Sequence, residues 1–472
     1  EQYPKAKTQL EAIIANKESP ISLKWEAKAE LARLFVKAKD FGRAQTQFEE
    51  VIKTLDQARA FINREENRLA FSSRQTSFYT DYIGFLVEQH APLKALLATE
   101  LIRARTLEEG LGKSQARPAQ VQMDAVHAFL HKHEKIILVY WLAHEKSFLW
   151  AITPSAVQLF ILPPRDQIDA RVARYRNAIV HGDDVGQGNE DGLALYNTLI
   201  GPAQKLIPRE AKVDIIADGN LGKLNFETLL VPGRPPRFWI EKVELESASS
   251  IALLIRPKPE HIAPKKLLLI GNAVKASAEY PPLAHAGKEI EKISAYFSAA
   301  DKIVLSGSQA VPSAYATSNP GQFENIDFVA HGFASDRQPL DSAIILSPEP
   351  GSPQQIDKQF KLYAREIVNI KLHARVVIIS ACSSAGDRAY AAEGLVGLAW
   401  AFLRAGAHQV IAALWDVDDE STPKLMDDFY AEWQKNKDAA SALRAAKLKM
   451  LRSNTAYSNP YFWAPLQLYT GS

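Results

Sequence analysis

The sequence is very poor in cysteine, with Cys382 as its only one among 472 residues. A lone thiol excludes an internal disulfide and a multi-cysteine metal site, so Cys382 is either an inert buried residue or a nucleophile. Because no internal disulfide can form, the cytoplasm is the simpler expected compartment. A secreted or periplasmic thiol enzyme stays open as an alternative, since the sequence starts at Glu1 without an initiator methionine.

Long apolar runs and a strong charge of either sign are also absent. No stretch approaches the roughly 20 apolar residues of a membrane span. A formal net charge of +2 gives no support for a nucleic-acid or membrane-surface partner. The chain does have an ordinary globular composition, 47% hydrophobic and 23% charged, and its length predicts two or three domains. No cofactor and no metal site are predicted.

The N-terminal residues 1–113 have a helical pattern, with apolar residues three and four positions apart. Two helices are predicted to meet at residues 39–41, where the small side chain of Ala44 lets their backbones approach closely. This pattern resembles a tetratricopeptide repeat, and a weaker second copy surrounds Ala95. The two alanines are 51 residues apart instead of the usual 34, which predicts a longer helix or an insertion between the copies. A plain helical bundle is the alternative.

From residue 135 onward, apolar runs alternate with helical patterns. Strands are predicted at 136–141, 148–152, 213–217, 266–270, 303–305, 326–330, 343–346, 376–379 and 410–414, the first two forming a hairpin. Helices are predicted between several of these strands, among them 286–297 and 394–405. Such alternation predicts an α/β fold with a mostly parallel sheet flanked by helices. A proline-rich break at 256–264 predicts a junction between two α/β halves, 114–260 and 261–472.

His331 and Cys382 each follow directly after a predicted strand, and they are 51 residues apart, near the spacing of about 50 in caspases. Since the carboxyl ends of parallel strands meet at one edge of a sheet, the two side chains are expected to lie close together. An imidazole beside a thiol favours the nucleophilic thiolate and can later protonate a leaving amine. The backbone amides of Gly332 and Cys382 are the predicted oxyanion donors.

Several short motifs follow the predicted elements of the second part of the chain. They lie at 217–221, 224–227, 329–332, 339–342, 380–382, 393–398, 401–407, 414–419 and 459–465. With them the chain resembles the CHAT domain, a caspase-like cysteine protease module of the clan that also contains caspases and separase. The resemblance covers residues 135–472 and implies a caspase-like fold with a preceding pseudo-caspase-like half. It also implies a His331/Cys382 dyad and cleavage of a peptide bond.

Acidic residues near the predicted active edge are candidates for a substrate pocket. Asp416 and Asp419 follow the strand at 410–414, and Asp336 lies just past the histidine. A carboxylate there would select Arg or Lys before the scissile bond by a charge-assisted contact. The similarity to separase, which cleaves after arginine, supports this interpretation. The alternative is that an aspartate of this segment caps the helix that starts near 421–423.

The sequence therefore predicts a cysteine endopeptidase that cleaves a protein substrate after a basic residue. The tetratricopeptide-like helices are expected to recruit the substrate or a regulatory protein, because repeat helices present concave surfaces. One alternative is a catalytically silent scaffold, in which the caspase-like half only binds proteins. A weaker alternative is another thiol-dependent acyl transfer.

Overall fold

A computed structural model describes residues 2–59, 65–103, 121–256, 265–274, 277–335, 338–351, 359–381, 388–390 and 394–471. The described residues up to 103 belong to one compact unit, and those from 121 onward belong to a second. The domain boundaries predicted near 113 and 260 both fall outside the described residues and remain predictions. Among the described helices, none combines the length and the apolar character required to cross a membrane.

The first unit is helical, with the antiparallel neighbours expected of a repeat. Its helices are α1 (Gln2–Ala15), α2 (Ile21–Lys37), α3 (Phe41–Arg59), α4 (Glu65–Glu88) and α5 (Pro92–Glu100). Lys39 adopts a left-handed backbone conformation between α2 and α3, which reverses the chain at the predicted position. Ala44 is fully buried in α3, and the buried ring of Phe48 lies 5.1 Å from the ring of Tyr82 on α4. Ala95 is fully buried in α5. The predicted N-terminal helical segment is confirmed.

The second unit is built on one large sheet and several small ones. Its strands are β1 (Lys135–Trp141), β2 (Ser147–Ile152), β3 (Val157–Leu162), β4 (Lys212–Ile216), β5 (Leu230–Val231), β6 (Arg237–Phe238), β7 (Glu244–Ala248), β8 (Lys265–Gly271), β9 (Lys302–Ser306), β10 (Phe323–Val329), β11 (His331–Phe333), β12 (Ala343–Ile345), β13 (Lys361–Tyr363), β14 (Val376–Ser380), β15 (Arg388–Tyr390), β16 (Gly394–Val396), β17 (Gln409–Ala413) and β18 (Leu466–Thr470). Its helices are α6 (Met123–His133), α7 (Arg165–Val180), α8 (Glu190–Leu199), α9 (Ile251–Leu254), α10 (Ala286–Ala295), α11 (Pro312–Thr317), α12 (Ala364–Ile367), α13 (Leu398–Ala405), α14 (Thr422–Asn436), α15 (Ala439–Leu451) and α16 (Pro460–Trp463).

Eleven of the described strands form the large sheet, in the order β3-β2-β1-β4-β7-β18-β17-β14-β10-β8-β9. The pairs from β17 through β14, β10 and β8 to β9 are parallel, as are β1 with β4, β4 with β7 and β7 with β18. Every residue of β14 is buried, because a strand inside a parallel sheet is covered on both faces. The predicted mostly parallel sheet flanked by helices is confirmed.

Two of the predicted segments have a different structure from the one expected. Residues 343–345 form a strand, but it lies in a small antiparallel sheet with β11 and β13 and not in the large sheet. The helix expected from residue 394 starts only at Leu398, because Gly394–Val396 pairs with β15 as a strand. Both segments are short apolar runs, whose periodicity alone does not distinguish a core strand from an edge strand or a helix.

Gly406 explains why the motif at 401–407 contains a glycine. It ends α13 in the left-handed conformation, with φ of +115°, and a Cβ atom there would lie 2.5 Å from the carbonyl oxygen of Leu372. Any other residue at this position would be strained and would displace that backbone. The motif is thus a helix end packed tightly against a neighbouring segment.

A buried charged group joins three strands of the large sheet. Nζ of Lys135 lies 2.9 Å from Asp214 on β4 and 2.6 Å from Glu246 on β7. Burial alone would lower the pKa of Lys135, but the two carboxylates outweigh it and raise that pKa above its ordinary value. Thr470 on β18 donates a further hydrogen bond to Glu246 at 2.6 Å, so the C-terminal strand belongs to the same network.

Candidate active site

His331 lies where the chain leaves the large sheet. β10 ends at Val329, and His331 begins β11 in the small antiparallel sheet. Its Nε2 atom lies 2.7 Å from the carbonyl oxygen of Pro281. Because a carbonyl oxygen only accepts hydrogen bonds, Nε2 carries the proton and donates it, which leaves Nδ1 as the basic nitrogen of the neutral ring. The imidazole is therefore oriented by a third group, as a general base requires.

A small cleft opens beside this histidine. The ring of Tyr280 forms one wall, with its centroid 5.9 Å from that of His331 and its plane tilted by 50°. The lining is otherwise apolar and consists of Ala273, Val274, Pro281, Leu283, Ala330 and Ile345. Such a lining favours an apolar group of a ligand next to the imidazole.

The wall of the cleft is held in place by a buried lysine. Nζ of Lys361, on β13, lies 4.6 Å from the ring centroid of Phe333, 5.6 Å from that of Phe360 and 5.9 Å from that of Tyr280. Cation–π contacts of this kind are worth most where the cation is shielded from water. Lys361 therefore connects the strand that begins at His331 to the segment that carries Tyr280.

The loop that follows His331 is fixed by the motif at 339–342. The hydroxyl of Ser342 accepts a hydrogen bond from the backbone of Ser335 at 3.1 Å, and Asp341 forms an ion pair with Arg365. This motif thus shapes the loop and supplies no reacting group. Asp336, a candidate for the substrate pocket, lies outside the described residues, and its role remains a prediction.

Strand β14 ends close to β10 on the same edge of the sheet. Val329 pairs with Ser380 in the parallel ladder, and Ala381 is fully buried. Cys382 lies outside the described residues. Gly332 is half-buried in β11, opposite Ile344. The oxyanion roles of Gly332 and Cys382 therefore remain predictions.

The three aspartates after β17 have different surroundings. Asp416 is exposed. Oδ1 of Asp418 accepts a hydrogen bond from the backbone of Ser421 at 2.8 Å, in the turn just before α14, and the first turn of that helix has no side-chain cap. Oδ2 of Asp419 accepts the backbone N–H of His285 at 3.0 Å and lies 3.3 Å from its Nδ1. Since His285 is only four residues beyond Pro281, Asp419 and His331 both hold the same short segment.

Sequence reasoning missed two buried carboxyl groups beneath this edge. Burial raises the pKa of Glu289, on α10, to about 8, although a hydrogen bond from Ser380 opposes the shift. Burial also raises the pKa of Asp327, on β10, to about 7, against a hydrogen bond of 2.5 Å from the hydroxyl of Tyr430. The sequence offers one signal for this pair, since Asp327 lies inside an apolar strand. Ser380 lies two residues before Cys382, so this cluster contacts the strand that leads to the predicted nucleophile.

Glu289→Gln is expected to flatten the pH dependence of stability. The folded protein keeps a proton on Glu289 up to about pH 8, whereas the unfolded chain loses it near pH 4.5. The free energy of unfolding therefore falls as the pH rises through this interval. Glutamine keeps an acceptor for Ser380 but does not ionise. We therefore expect Glu289→Gln to raise the free energy of unfolding by about 1–2 kcal/mol at pH 8. The gain is smaller than the full pKa shift implies, because local relaxation already relieves part of the cost of the buried charge. Urea unfolding between pH 5 and pH 9 measures this difference.

Glu291→Gln is the matched control, because Glu291 is exposed on the same helix. Its unfolding free energy should follow that of the wild type at every pH. Parallel curves for Glu289→Gln and the wild type would contradict a neutral Glu289.

Comparison with known proteins agrees with this architecture. Mouse tetratricopeptide repeat protein 28 is 32% identical over 111 residues and its human counterpart 28%, each match covering 24% of this chain and 4% of the relative. The chain therefore matches only a small part of the length of these relatives. Two structures of the Saccharomyces cerevisiae separase–securin complex align with TM-scores of 0.53 and 0.54 at 10% and 9% identity. These alignments cover 92% and 91% of this chain but 38% and 37% of the compared chains.

At that identity the likeness to separase shows the fold, and it confirms the predicted caspase-like architecture preceded by helices. The family model of the CHAT domain matches residues 189–471, which is more than half of the chain. The match includes the cleft, β14 and the segment that carries the three aspartates. This chain belongs to the CHAT domain family.

Proposed function

We propose that the protein is a cysteine endopeptidase in which His331 activates the thiol of Cys382. The observation that carries this proposal is the parallel pairing of Val329 with Ser380, because each of them lies two residues before one member of the dyad. The hydrogen bond from Nε2 of His331 to the carbonyl of Pro281 is a second support, since it leaves Nδ1 to take a proton. The apolar cleft beside His331 is the third.

The reaction follows from these groups. Nδ1 of His331 accepts the thiol proton, and the Cys382 thiolate attacks the carbonyl carbon of the scissile bond. The resulting imidazolium then protonates the leaving amine, so that an acyl-enzyme remains. Water, deprotonated by the same nitrogen, hydrolyses that thioester and restores the thiol. Nε2 keeps its proton throughout and Pro281 holds the ring in place.

We further propose that the residue before the scissile bond is Arg or Lys. Asp416 is exposed directly after the buried Trp415, so its carboxylate can meet a cation with little loss of solvation. Asp419 is joined to His285 and thereby to the segment that holds His331, which brings a second acidic side chain to the same region. Asp336 remains a further candidate.

Peptides that differ only in Arg, Asp or Leu before the scissile bond test this preference. We expect kcat/KM for the Arg peptide to exceed that for Leu by about tenfold or more, as one charge-assisted contact would give. Asp416→Asn should reduce the Arg preference, while Glu420→Gln, an exposed carboxylate in the same segment, should leave it unchanged. Equal turnover of the three peptides would refute an acidic pocket.

The helical unit is proposed to recruit the protein substrate or a regulatory protein. The match of the chain to tetratricopeptide repeat protein 28 supports this role, and the same match favours a second candidate function, a scaffold that binds proteins without cleaving them. The two functions differ in the reactivity of Cys382. A general base beside the thiol predicts rapid modification by iodoacetamide at neutral pH, whereas an inert buried cysteine resists it.

Mass spectrometry of the native protein after brief iodoacetamide treatment separates these candidates. Because the chain has one cysteine, any added mass reports on Cys382 alone. We expect labelling of the native protein that is faster than that of the urea-unfolded chain at pH 7, since the unfolded thiol has no base beside it. Slower labelling in the native state would favour the scaffold.

A further inference from the structure

A second cavity lies where β4 and β7 of the large sheet end. Phe226, Trp400 and Leu403 supply apolar walls, and Ser249, Gln467 and Tyr469 add polar groups. No residue that lines the cleft of His331 is shared with it.

Three polar atoms of this cavity are buried without a hydrogen-bond partner among the described residues. They are the indole Nε1 of Trp400, the side-chain oxygen of Gln467 and the hydroxyl of Tyr469. The amide nitrogen of Gln467 donates to Ser247, and the amide oxygen is left unpaired. Buried polar atoms usually have partners, so three unpaired atoms around one cavity favour a bound group there.

The chemistry of the lining restricts the ligand. None of the described residues that line the cavity carries a charge, so an ion bound there would lose its hydration without compensation. Burial raises the pKa of Tyr469 far above its ordinary value, and this hydroxyl remains a neutral donor. Two donors, one acceptor and aromatic walls match a planar molecule with a carbonyl group and an N–H or O–H group.

We propose that this cavity is a binding site for a small uncharged molecule in which an apolar ring carries an amide-like group. The ligand's carbonyl accepts hydrogen bonds from Trp400 and Tyr469, and its donor pairs with Gln467. His331 does not line this cavity, so a ligand bound there need not contact the proposed general base.

Benzamide is the probe, with benzoate and toluene as the charged and the apolar analogues. Isothermal titration or saturation-transfer NMR with the full chain should show saturable binding of benzamide and at least tenfold weaker binding of both analogues. Trp400→Phe and Tyr469→Phe each remove one donor while keeping an aromatic ring. Each should weaken benzamide binding about fivefold. Tyr469→Phe should also leave the thermal midpoint unchanged or higher, because its hydroxyl has no protein partner to lose, whereas Trp400→Phe also loses buried packing of the indole.

Ala248→Leu fills the cavity from the end of β7 and should abolish benzamide binding, whereas Ala316→Leu, at an exposed position, should not. Cys382→Ala should bind benzamide like the wild type, which separates this site from the peptidase proposal. No saturable binding of benzamide to the wild type would overturn the proposal. Equal affinities of the wild type, Trp400→Phe and Tyr469→Phe would also overturn it.

Discussion

Cys382→Ala and His331→Ala are each expected to reduce peptide hydrolysis at least about a thousandfold, because members of a nucleophile–base pair act as a unit. Loss of the thiol removes the atom that bonds to the substrate. Loss of the imidazole leaves the thiol mostly protonated at neutral pH and leaves the departing amine without a proton donor. The double variant should be no slower than either single variant. Values of kcat/KM for an Arg peptide, obtained from initial rates, test the two single variants and the double variant.

His181→Ala is the matched control for the histidine. His181 also precedes a glycine, Gly182, and its ring also contacts a backbone carbonyl, with Nδ1 lying 2.7 Å from the oxygen of Asn177. It is exposed at the end of a helix. Hydrolysis by this variant should match the wild type. Undiminished hydrolysis by Cys382→Ala, with the fold intact by circular dichroism, would refute the dyad.

The parts of the fold that the sequence predicts well are those with a strong local signal. The strands at 136–141 and 376–379 are uninterrupted apolar runs, because both faces of each strand are buried. β7 was missed, since Glu244 and Glu246 break its apolar pattern. Lys212 and Lys135 neutralise their carboxylates, and Thr470 donates a hydrogen bond to Glu246; all three residues are remote in sequence. Nothing local in the sequence shows such compensation.

The candidate site also has parts that the sequence predicts and parts that it does not. His331 is recognisable because it follows an apolar run within a motif. Its partner, the carbonyl of Pro281, is a backbone atom 50 residues away, and a backbone atom leaves no signature in the choice of residue. The contact between Asp419 and His285 spans 134 residues and is equally invisible before folding. Cys382 and Asp336, which lie outside the described residues, remain predictions from the motifs.

The motif at 224–227 holds distant segments of the chain together. Its resemblance to the family motif does not by itself reveal this role. Nδ2 of Asn225 donates to the carbonyl of Ala464 at 2.7 Å and to Oε2 of Glu227 at 3.2 Å. The same carboxylate accepts a hydrogen bond from Nζ of Lys447, on α15. Lys447 is fully buried, and Glu227 is nearly so. Three segments that are distant in sequence therefore meet at one buried ion pair.

Lys447→Met is expected to lower the free energy of unfolding by about 3–5 kcal/mol, because it leaves the carboxylate of Glu227 buried without a cation. Methionine has nearly the same length and suits the apolar surroundings, so lost packing contributes little. The double variant Lys447→Met/Glu227→Gln should recover most of the loss, since it removes the orphaned charge and keeps an oxygen for Asn225. Urea unfolding followed by tryptophan fluorescence measures the three free energies.

The exposed pair of Lys435 and Glu432, 2.7 Å apart on α14, provides the control. Lys435→Met should change the unfolding free energy by less than about 0.5 kcal/mol, because water solvates the remaining carboxylate. A loss below about 1 kcal/mol for Lys447→Met would show that water reaches Glu227 and that the motif does not depend on this pair. A different outcome is that Lys447→Met shows the whole expected loss of unfolding free energy while Glu227→Gln in the double variant restores none of it. The loss would then come from packing, and the charge argument would fail.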